Sequence, residues 1–308
     1  MRVCYHIQSH TLPVQLVRLI RTIRTSSPGS LVVVSHSETG PDLDLGDLAD
    51  DPAVIVTRVP NGYADFSHVD RWLEAVDLLE ERGERYDWLC NISGQDYPVL
   101  PLAEAERQLA EGGADAYLQY YPVFGGSKWP VGKSRTRYCF AYTKVPLSPR
   151  AQRLLRPLAA VNRVQPLVRF SPVHRAVGVR RRRTPIAPAD LYGGSFFCSL
   201  SRDCVRYVRE WVRTHPAEVR YLRGSLTSAE VFFQTVLVGA GTFRLENDSK
   251  RYFDFRNSKL NHPKVLTVAD LPRMEGRGAH FARKIDERVD AVLLDRLDDK
   301  VFDIDYTT

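Results

Sequence analysis

The sequence predicts an α/β protein with a mostly parallel central sheet that helices cover on both faces. Over the first hundred residues, short and continuously apolar runs alternate with longer segments of helical periodicity. Strands of a parallel sheet are buried on both faces and read as apolar runs, and a helix usually connects each strand to the next. The chain has 308 residues and is 44% hydrophobic, so it can bury the core that such a sheet needs.

Four apolar runs in the amino-terminal third predict four strands: RVCYHIQSH, LVVVSHSE, VIVTRV and YDWLCNIS. The segments LPVQLVRLIRTIRT and SHVDRWLEAVDLLEERG lie between these runs and have helical spacing. Ser67 is the predicted N-cap of the second helix, and Gly83 is its predicted stop. Most of the strands end in polar side chains, and ligands of α/β proteins bind at strand ends.

The second half of the chain predicts two further helices and an irregular insertion. A strand that begins with glycine and a helix capped near Ser201 are predicted by the stretch LYGGSFFCSLSRDCVRYVREWVRTH. A second helix, opening at Thr227 or Ser228, is predicted by SLTSAEVFFQTVLVG. Between residues 125 and 190 the periodicity gives way to proline, arginine and short helical pieces. We therefore expect a single domain over residues 1–308, with an irregular insertion at 125–190.

Composition and cysteine content restrict the class of protein. The net charge of +6 favours acidic ligands without selecting one. The five cysteines contain no CxxC pair, and Cys4, Cys90 and Cys198 lie in apolar runs, which predicts reduced, buried thiols. Met1-Arg2 leads directly into the predicted strand VCYHI, so we expect no signal peptide. No apolar run reaches the ~20 residues of a membrane helix. We expect a cytoplasmic protein.

Several common site motifs are absent from the sequence. There is no GxxxxGK[ST] segment, no GxGxxG after the first strand, no HExxH and no GxSxG. A phosphate ligand would need other donors. The acidic triplet Asp42-Leu43-Asp44 lies in a proline-containing acidic loop, which is more typical of a solvated connection than of a metal site. We expect no metal.

Six segments in a fixed order carry a resemblance that runs from residue 3 to about residue 290: YHIQSH, GYADFSHV, YDWLCNISGQDYPV, GGSFFCSLSRDCVRYV, TSAEVFFQTVL and HFARKID. Together they resemble the core-2/I-branching β-1,6-N-acetylglucosaminyltransferase and peptide O-xylosyltransferase family, the branching glycosyltransferases. The resemblance implies a GT-A-like fold, with a nucleotide-binding half at 1–120 and an acceptor and catalytic half at 191–308. It implies inverting, metal-independent transfer of N-acetylglucosamine or xylose from a UDP-sugar to a hydroxyl, with no further cofactor.

The resemblance makes Glu230 the catalytic base. The family has a glutamate in a Ser-Pro-Asp-Glu type of segment that opens a helix, and TSAE occupies that place here, with Ser228-Ala229 in place of Pro-Asp. An inverting transfer needs one base within reach of the acceptor hydroxyl, and a helix dipole keeps a first-turn carboxylate ionised. The same residues also fit a capping box, a purely structural motif.

The resemblance places the leaving diphosphate at Arg283 and Lys284, in the FARK segment. Two fixed cations can stabilise the charge that develops on a departing phosphate, as a metal would. The alternative is a pair on a helix surface beside Asp286 and Glu287. Lys264 is the nearest match to a further cation of the family, in an imperfect register.

The nucleotide and acceptor contacts follow from the resemblance alone. His36 replaces an aspartate that many relatives have, and a structural strand-end histidine is the alternative interpretation. The segment SGQDYP contains Asp96, which either shapes the donor pocket or serves a turn that Pro98 makes rigid. The implied uridine contacts are Ile7, Gln8, Ser9, His36 and Tyr63, and the implied donor and acceptor pocket residues are Asp96, Gln119, Arg137, Arg251 and Asp254.

Other functions remain open for the basic run Arg180 to Arg183. A solvated loop is the simplest interpretation, and a non-catalytic module that binds a polyanion or nucleic acid is the alternative function; peripheral contact with an anionic membrane would use the same charge. No recognition helix accompanies the arginines, so we expect no nucleic acid. A third possibility is an enzyme with the same fold and donor site that hydrolyses the donor sugar instead of transferring it. The acceptor is undefined among a glycan, a lipid-linked precursor, a peptide and a secondary metabolite.

Overall fold

The computed structural model describes residues 1–60, 62, 65–126, 128–145, 148–154, 156–256 and 262–303. The strands are β1 (Val3–Ser9), β2 (Leu31–Ser37), β3 (Val54–Val59), β4 (Trp88–Ser93), β5 (Asp96–Pro98), β6 (Ala116–Tyr117), β7 (Tyr121–Pro122), β8 (Phe140–Lys144), β9 (Val168–Ser171), β10 (Ala176–Arg180), β11 (Tyr192–Gly193), β12 (Ser199–Ser201), β13 (Leu245–Glu246), β14 (Arg251–Phe253) and β15 (Phe281–Arg283). The helices are α1 (Pro13–Ser26), α2 (Ser67–Glu81), α3 (Leu102–Glu111), α4 (Val131–Tyr138), α5 (Pro149–Leu154), α6 (Val161–Val164), α7 (Arg202–Thr214), α8 (Pro216–Arg223), α9 (Ala229–Ala240), α10 (Leu271–Met274) and α11 (Ala291–Val301).

A seven-stranded sheet forms the centre of the molecule, in the order β13-β6-β12-β4-β1-β2-β3. The four strands predicted from the apolar runs are parallel neighbours, and Cys4 of β1 pairs with Leu31 on one side and Leu89 on the other. Only β12 runs antiparallel to its neighbours. The prediction of an α/β protein with a mostly parallel sheet is confirmed.

Two hydrophobic clusters lie against the central sheet, because successive side chains of a strand point to opposite faces. Cys4 belongs to the cluster with Trp72 of α2 and Phe233 of α9, whose rings lie 4.9 Å apart. Tyr5, the next residue, belongs to the cluster that contains the buried residues of α1 and Leu293 of α11. Every residue of β1 and β2 is buried, which explains why these strands read as continuous apolar runs.

The insertion at 125–190 is more regular than the sequence predicts. Its strands form an antiparallel sheet in the order β8-β10-β9, and Phe140 and Ala176 are buried on one face of it. The strands have four or five residues, so they are too short for a clear periodic pattern. The solvated-loop interpretation is also wrong for Arg181, which donates hydrogen bonds to the carbonyls of Tyr138 and Tyr221 and to Ser225.

A second small sheet, in the order β14-β15-β5, joins distant parts of the chain. In it Arg283 pairs with Asp96 across antiparallel strands. All five cysteines are free, and Cys4, Cys90, Cys198 and Cys204 are buried, as predicted for the first three. No helix in the described part of the chain is both long and apolar enough to cross a membrane.

Candidate active site at the strand ends

Polar side chains gather where β1 and β2 end and α2 begins. The amide of Gln8 donates to the carbonyl of His68 at 2.8 Å, and its oxygen lies 2.7 Å from Nδ1 of the same histidine. Nε2 of His36 lies 2.8 Å from the carbonyl of Pro41, so His36 is held against the loop that follows β2. Ser9 is buried against Gly94, where a Cβ would lie 2.8 Å from the serine hydroxyl oxygen. The strand ends are therefore closely packed.

Arg283 extends from β15 toward the end of β4. Its guanidinium donates to Asp96 at 2.9 Å and to the hydroxyl of Ser93, and Asp96 also accepts from the backbone N–H of Ser93 at 2.7 Å. The guanidinium carbon lies 4.5 Å from the centre of the Phe197 ring. The helix-surface alternative is wrong for Arg283, since this residue lies on a strand and pairs with a fully buried carboxylate.

Cationic groups converge on this place from several elements. Burial lowers the pKa of Lys284, and the neighbouring Arg283 lowers it further. The pKa of His10 is lowered by burial and then by Lys284 and Arg283. Burial also lowers the pKa of His68 to about 4, with Arg71 and Arg283 contributing. Burial is the largest cause of each shift, and the charge of Arg283 contributes to all three. Arg283, Lys284 and Arg71 thus form a cationic cluster, which favours an anionic ligand.

Glu230 lies in the first turn of α9, as the sequence predicts. The capping-box alternative is wrong, because the N-cap residue Ser228 forms no side-chain cap and its hydroxyl has no hydrogen-bond partner. Thr227 precedes it in a left-handed conformation, with φ of 51°. The carbonyl of Glu230 accepts a hydrogen bond from the N–H of Gly194 at 2.8 Å. This bond holds the start of the helix against the segment that follows β11.

The Glu230 carboxylate lies 3.6 Å from Nη1 of Arg137, and 43% of its side chain is exposed. Burial raises the pKa of Glu230, and the charge of Arg137 lowers it. The guanidinium of Arg137 is in turn 4.7 Å from the Trp129 ring centre, and Trp129 packs edge-on against Tyr121. Glu230 is thus the acidic group beside one cationic and two aromatic side chains.

Residues 194–197 connect the two halves of the site. Gly194 bonds to Glu230, and the ring of Phe197 contacts Arg283. Three peptide units separate Gly194 from Phe197, so their Cα atoms are at most about 11 Å apart. The structure therefore places the backbone of Glu230 and the guanidinium of Arg283 at the two ends of one short segment.

Arg251 and Asp254 line a separate open groove of about 750 Å³, together with Phe253 and Phe255. Asp254 is bound by Arg256, which lowers the pKa of Asp254 to about 2. Arg251 is 8% exposed, and its Nε and Nη2 atoms have no hydrogen-bond partner among the described residues. The ring centre of Phe253 lies 6.4 Å from that of Phe197, so the groove adjoins the Arg283 side of the site.

The remaining residues that were predicted to contact a ligand differ in their exposure and bonding. Ile7 is fully buried in the core, so its side chain is not exposed to a ligand. Gln119 is exposed, and its backbone carbonyl accepts a hydrogen bond from Gln234 of α9. Lys264 forms an ion pair with buried Asp270 at 2.7 Å. Tyr63 lies outside the described residues.

Two residues of this site were missed by the sequence analysis, His68 and Arg71 of α2. Arg71 is 5% exposed, donates to the carbonyl of Pro60 and influences the pKa of His68. The two residues are spaced i and i+3 on the helix, so they project from the same face. That spacing, in a helix that follows a predicted strand, was the available signal.

Comparisons with known proteins give two related matches. The chain is 26% identical over 232 residues to Beta-glucuronosyltransferase GlcAT14A of Arabidopsis thaliana, which covers 74% of this chain and 46% of that protein. It is 25% identical to Beta-glucuronosyltransferase GlcAT14B of the same plant, over 74% of this chain and 47% of that protein. The chain thus spans about half the length of these relatives. The matches support the resemblance to glycosyltransferases and do not distinguish a subtype.

No family model matches the sequence. Among solved structures, the nucleoside-diphosphate-sugar pyrophosphorylase from Vibrio cholerae RC9 aligns with a TM-score of 0.34 and 10% identity, over 80% of this chain and 90% of that one. A similarity of that size does not assign the fold to a family.

Proposed function

We propose that this protein is an inverting glycosyltransferase that moves a sugar from a UDP-sugar to an acceptor hydroxyl. The observation that carries the proposal is the similarity over 232 residues to two enzymes named as β-glucuronosyltransferases. The site geometry supports it, because the backbone of Glu230 and the guanidinium of Arg283 contact the two ends of residues 194–197. On the same grounds we propose that the fold is of the GT-A type.

In the proposed reaction, Glu230 accepts the proton of the acceptor hydroxyl. The hydroxyl oxygen forms a bond to the anomeric carbon while the bond from that carbon to the diphosphate breaks, and the electron pair leaves with UDP. Attack from the face opposite the leaving group inverts the anomeric configuration. The raised pKa of Glu230 makes it a stronger base than an exposed glutamate, as general-base catalysis near neutral pH requires.

We propose that Arg283 and Lys284 neutralise the departing diphosphate, with Arg71 adding to the positive potential. Guanidinium and ammonium donors fixed in a partly buried site stabilise developing charge without reorganisation. Asp96 holds the Arg283 guanidinium in place through a hydrogen bond of 2.9 Å, so we assign Asp96 to positioning. We propose that no divalent metal takes part.

The donor sugar remains a choice among three candidates. The family resemblance suggests N-acetylglucosamine or xylose, and the names of the two relatives add glucuronic acid. The groove lined by Arg251 and Asp254 is the proposed approach of the acceptor, since it adjoins the ring of Phe197.

Thermal-shift titration tests the donor class and the absence of a metal together. UDP and the correct UDP-sugar should raise the melting temperature, since a ligand at 100 times its Kd stabilises by about 2.7 kcal/mol. The shift should be unchanged by EDTA. Incubation of UDP-N-acetylglucosamine, UDP-xylose and UDP-glucuronic acid with and without acceptors then separates transfer from hydrolysis. Absence of any shift with UDP would contradict the donor class, and a shift abolished by EDTA would contradict the role given to the two cations.

A further inference from the structure

The charge of the chain is divided between the insertion and the rest of the molecule. Residues 116–189 contain no aspartate or glutamate but have 15 of the 43 lysines and arginines, whereas all 37 acidic residues lie elsewhere. The insertion region is therefore strongly basic, and the remaining residues have a net charge of −9. So sharp a division indicates a surface for an anionic partner.

The same region exposes large apolar side chains. Of the fourteen that are exposed in the described chain, seven lie between residues 154 and 179. Val164 is 82% exposed and Leu154 79% exposed. Single exposed apolar residues are ordinary, but a concentration of them on one part of a surface marks an interaction site.

One face of the β8-β10-β9 sheet forms the centre of this surface. The strand register places Ala141, Val179 and Val168 in one row across the three strands, so their side chains share a face. All three are exposed. The opposite face contains Phe140 and Ala176, which are buried. The sheet therefore uses one face for the core and leaves the other, apolar face uncovered.

Helix α6 extends the apolar face beyond the edge of this sheet. Asn162 bonds both the N–H and the carbonyl of Phe170 in β9, each at 2.8 Å. These bonds hold the exposed side chains of Val161 and Val164 next to the strand. Together, the exposed apolar residues of 141–179 and the exposed arginines of 150–183 are called the insertion surface.

The arginines of the insertion surface are free to meet an external anion. Arg180 ends β10 and pairs with Phe140, so it lies on the face of the sheet opposite Val179. Arg180, Arg182 and Arg183 are all exposed. None of these three forms an ion pair with any residue that the structure describes. Arg181, between them, is held internally and contacts the ring of Tyr221 at 4.3 Å, which fixes the run to the body of the protein.

We propose that the insertion surface docks on an anionic lipid bilayer. Basic residues beside an acidic membrane are attracted to its headgroups, and exposed aliphatic side chains from the same region gain free energy by entering the interface. A surface for single-stranded nucleic acid would instead present aromatic rings for stacking. Among the described residues of 140–183 no aromatic side chain is exposed.

The insertion surface is connected to the candidate active site. Lys144 of β8 forms an ion pair with Asp65, which precedes α2. At the other end, the β8 strand follows directly on α4, which contains Arg137, the partner of Glu230. Docking would therefore hold the site at a fixed distance from the lipid surface. The proposal is independent of the reaction given above, because it concerns binding to the bilayer alone.

Sedimentation with vesicles tests this proposal on the full chain. We expect binding to vesicles of phosphatidylglycerol and phosphatidylcholine in about 0.1 M salt, little binding to phosphatidylcholine alone, and release by high salt. The triple variant R180S/R182S/R183S should bind on the order of a hundredfold more weakly. The variant V164S/V179S should also weaken binding, while leaving the salt dependence unchanged.

Matched controls keep the test sharp. The variants R82S/R85S/R206S and V14S/V289S remove equally exposed charges and apolar groups from other surfaces, and should bind vesicles as the unchanged protein does. Melting temperatures within a few degrees of the unchanged protein would show that each variant is folded. The proposal is overturned by equal binding to neutral vesicles, by no binding, by an equal loss in the controls, or by tighter binding to a single-stranded oligonucleotide at the same salt.

Discussion

At the residue scale, the environment of Glu230 separates a catalytic role from a structural one. The carboxylate forms no cap, and its one ion-pair contact in the described chain is Arg137 at 3.6 Å, which is long for a stabilising pair. Burial raises its pKa, so keeping this group ionised costs the folded state free energy. A residue that serves the fold alone would be expected to stabilise it.

Replacing Glu230 by glutamine should lower the rate of transfer by about 10²- to 10⁴-fold, because the amide cannot accept the acceptor proton. The affinity for UDP should remain within about twofold, and the melting temperature should be unchanged or higher. In the unchanged protein, the rate should fall at acidic pH as Glu230 becomes protonated. Because the pKa of Glu230 is raised, the midpoint of this fall should lie above the usual range for a glutamate. Initial rates, UDP titration and thermal melting provide the three measurements.

The matched control for this change is Glu218, which also lies in the first turn of a helix, α8. Glu218→Gln should leave the transfer rate unaltered. If Glu230→Gln retained the turnover of the unchanged protein, Glu230 could not be the base, even if the protein proved to be a glycosyltransferase.

At the element scale, the position of α9 depends on the close approach of two backbone segments. A Cβ on Gly194 would lie 1.8 Å from the carbonyl oxygen of Gln119, and no backbone contact can accommodate that distance. Gly194 also donates the hydrogen bond that Glu230 accepts. The start of α9 is therefore fixed by a position at which only glycine fits.

Gly194→Ala should lower both stability and transfer, with a loss of stability of about 2 kcal/mol or more, because the two segments must separate. Gly239→Ala, in α9, provides the opposite control, because nothing lies within 4 Å of the position that its Cβ would take. Alanine there should stabilise the protein by about 0.5–1 kcal/mol and leave transfer intact. Denaturant unfolding and initial rates measure both effects. Equal behaviour of the two variants would contradict the role of Gly194.

The elements also show which features the sequence could predict. The strands β1 to β4 and the start of α9 were predicted correctly, because burial on both faces and helix periodicity are local patterns. The pairing of Asp96 with Arg283 joins residues 187 positions apart, and no local pattern contains that information. The short strands β8 to β10 were missed because each has only four or five residues and one face of their sheet is exposed.

At the scale of the whole molecule, the fold keeps several histidines in the neutral state. Burial lowers the pKa of His6 and His280 to about 3 and that of His68 to about 4. In the unfolded chain these groups titrate near pH 6.5. Below that pH the unfolded state binds protons that the folded state does not, so stability is lost as the pH falls from about 6.5 toward 4.

Each of these histidines should lower the free energy of unfolding by up to about 1.4 kcal/mol for every pH unit below 6.5. Glu230 and Glu74, whose pKa values burial raises, act in the opposite sense, but these histidines outnumber them. Urea unfolding at pH 7, 6 and 5 measures the slope, and stays above the range in which Asp254 titrates. His280→Gln should reduce that slope by about one proton whether or not it changes the stability at pH 7. An unchanged slope in this variant would mean that His280 is protonated in the folded protein, and its burial beside Gln108 would then need another explanation.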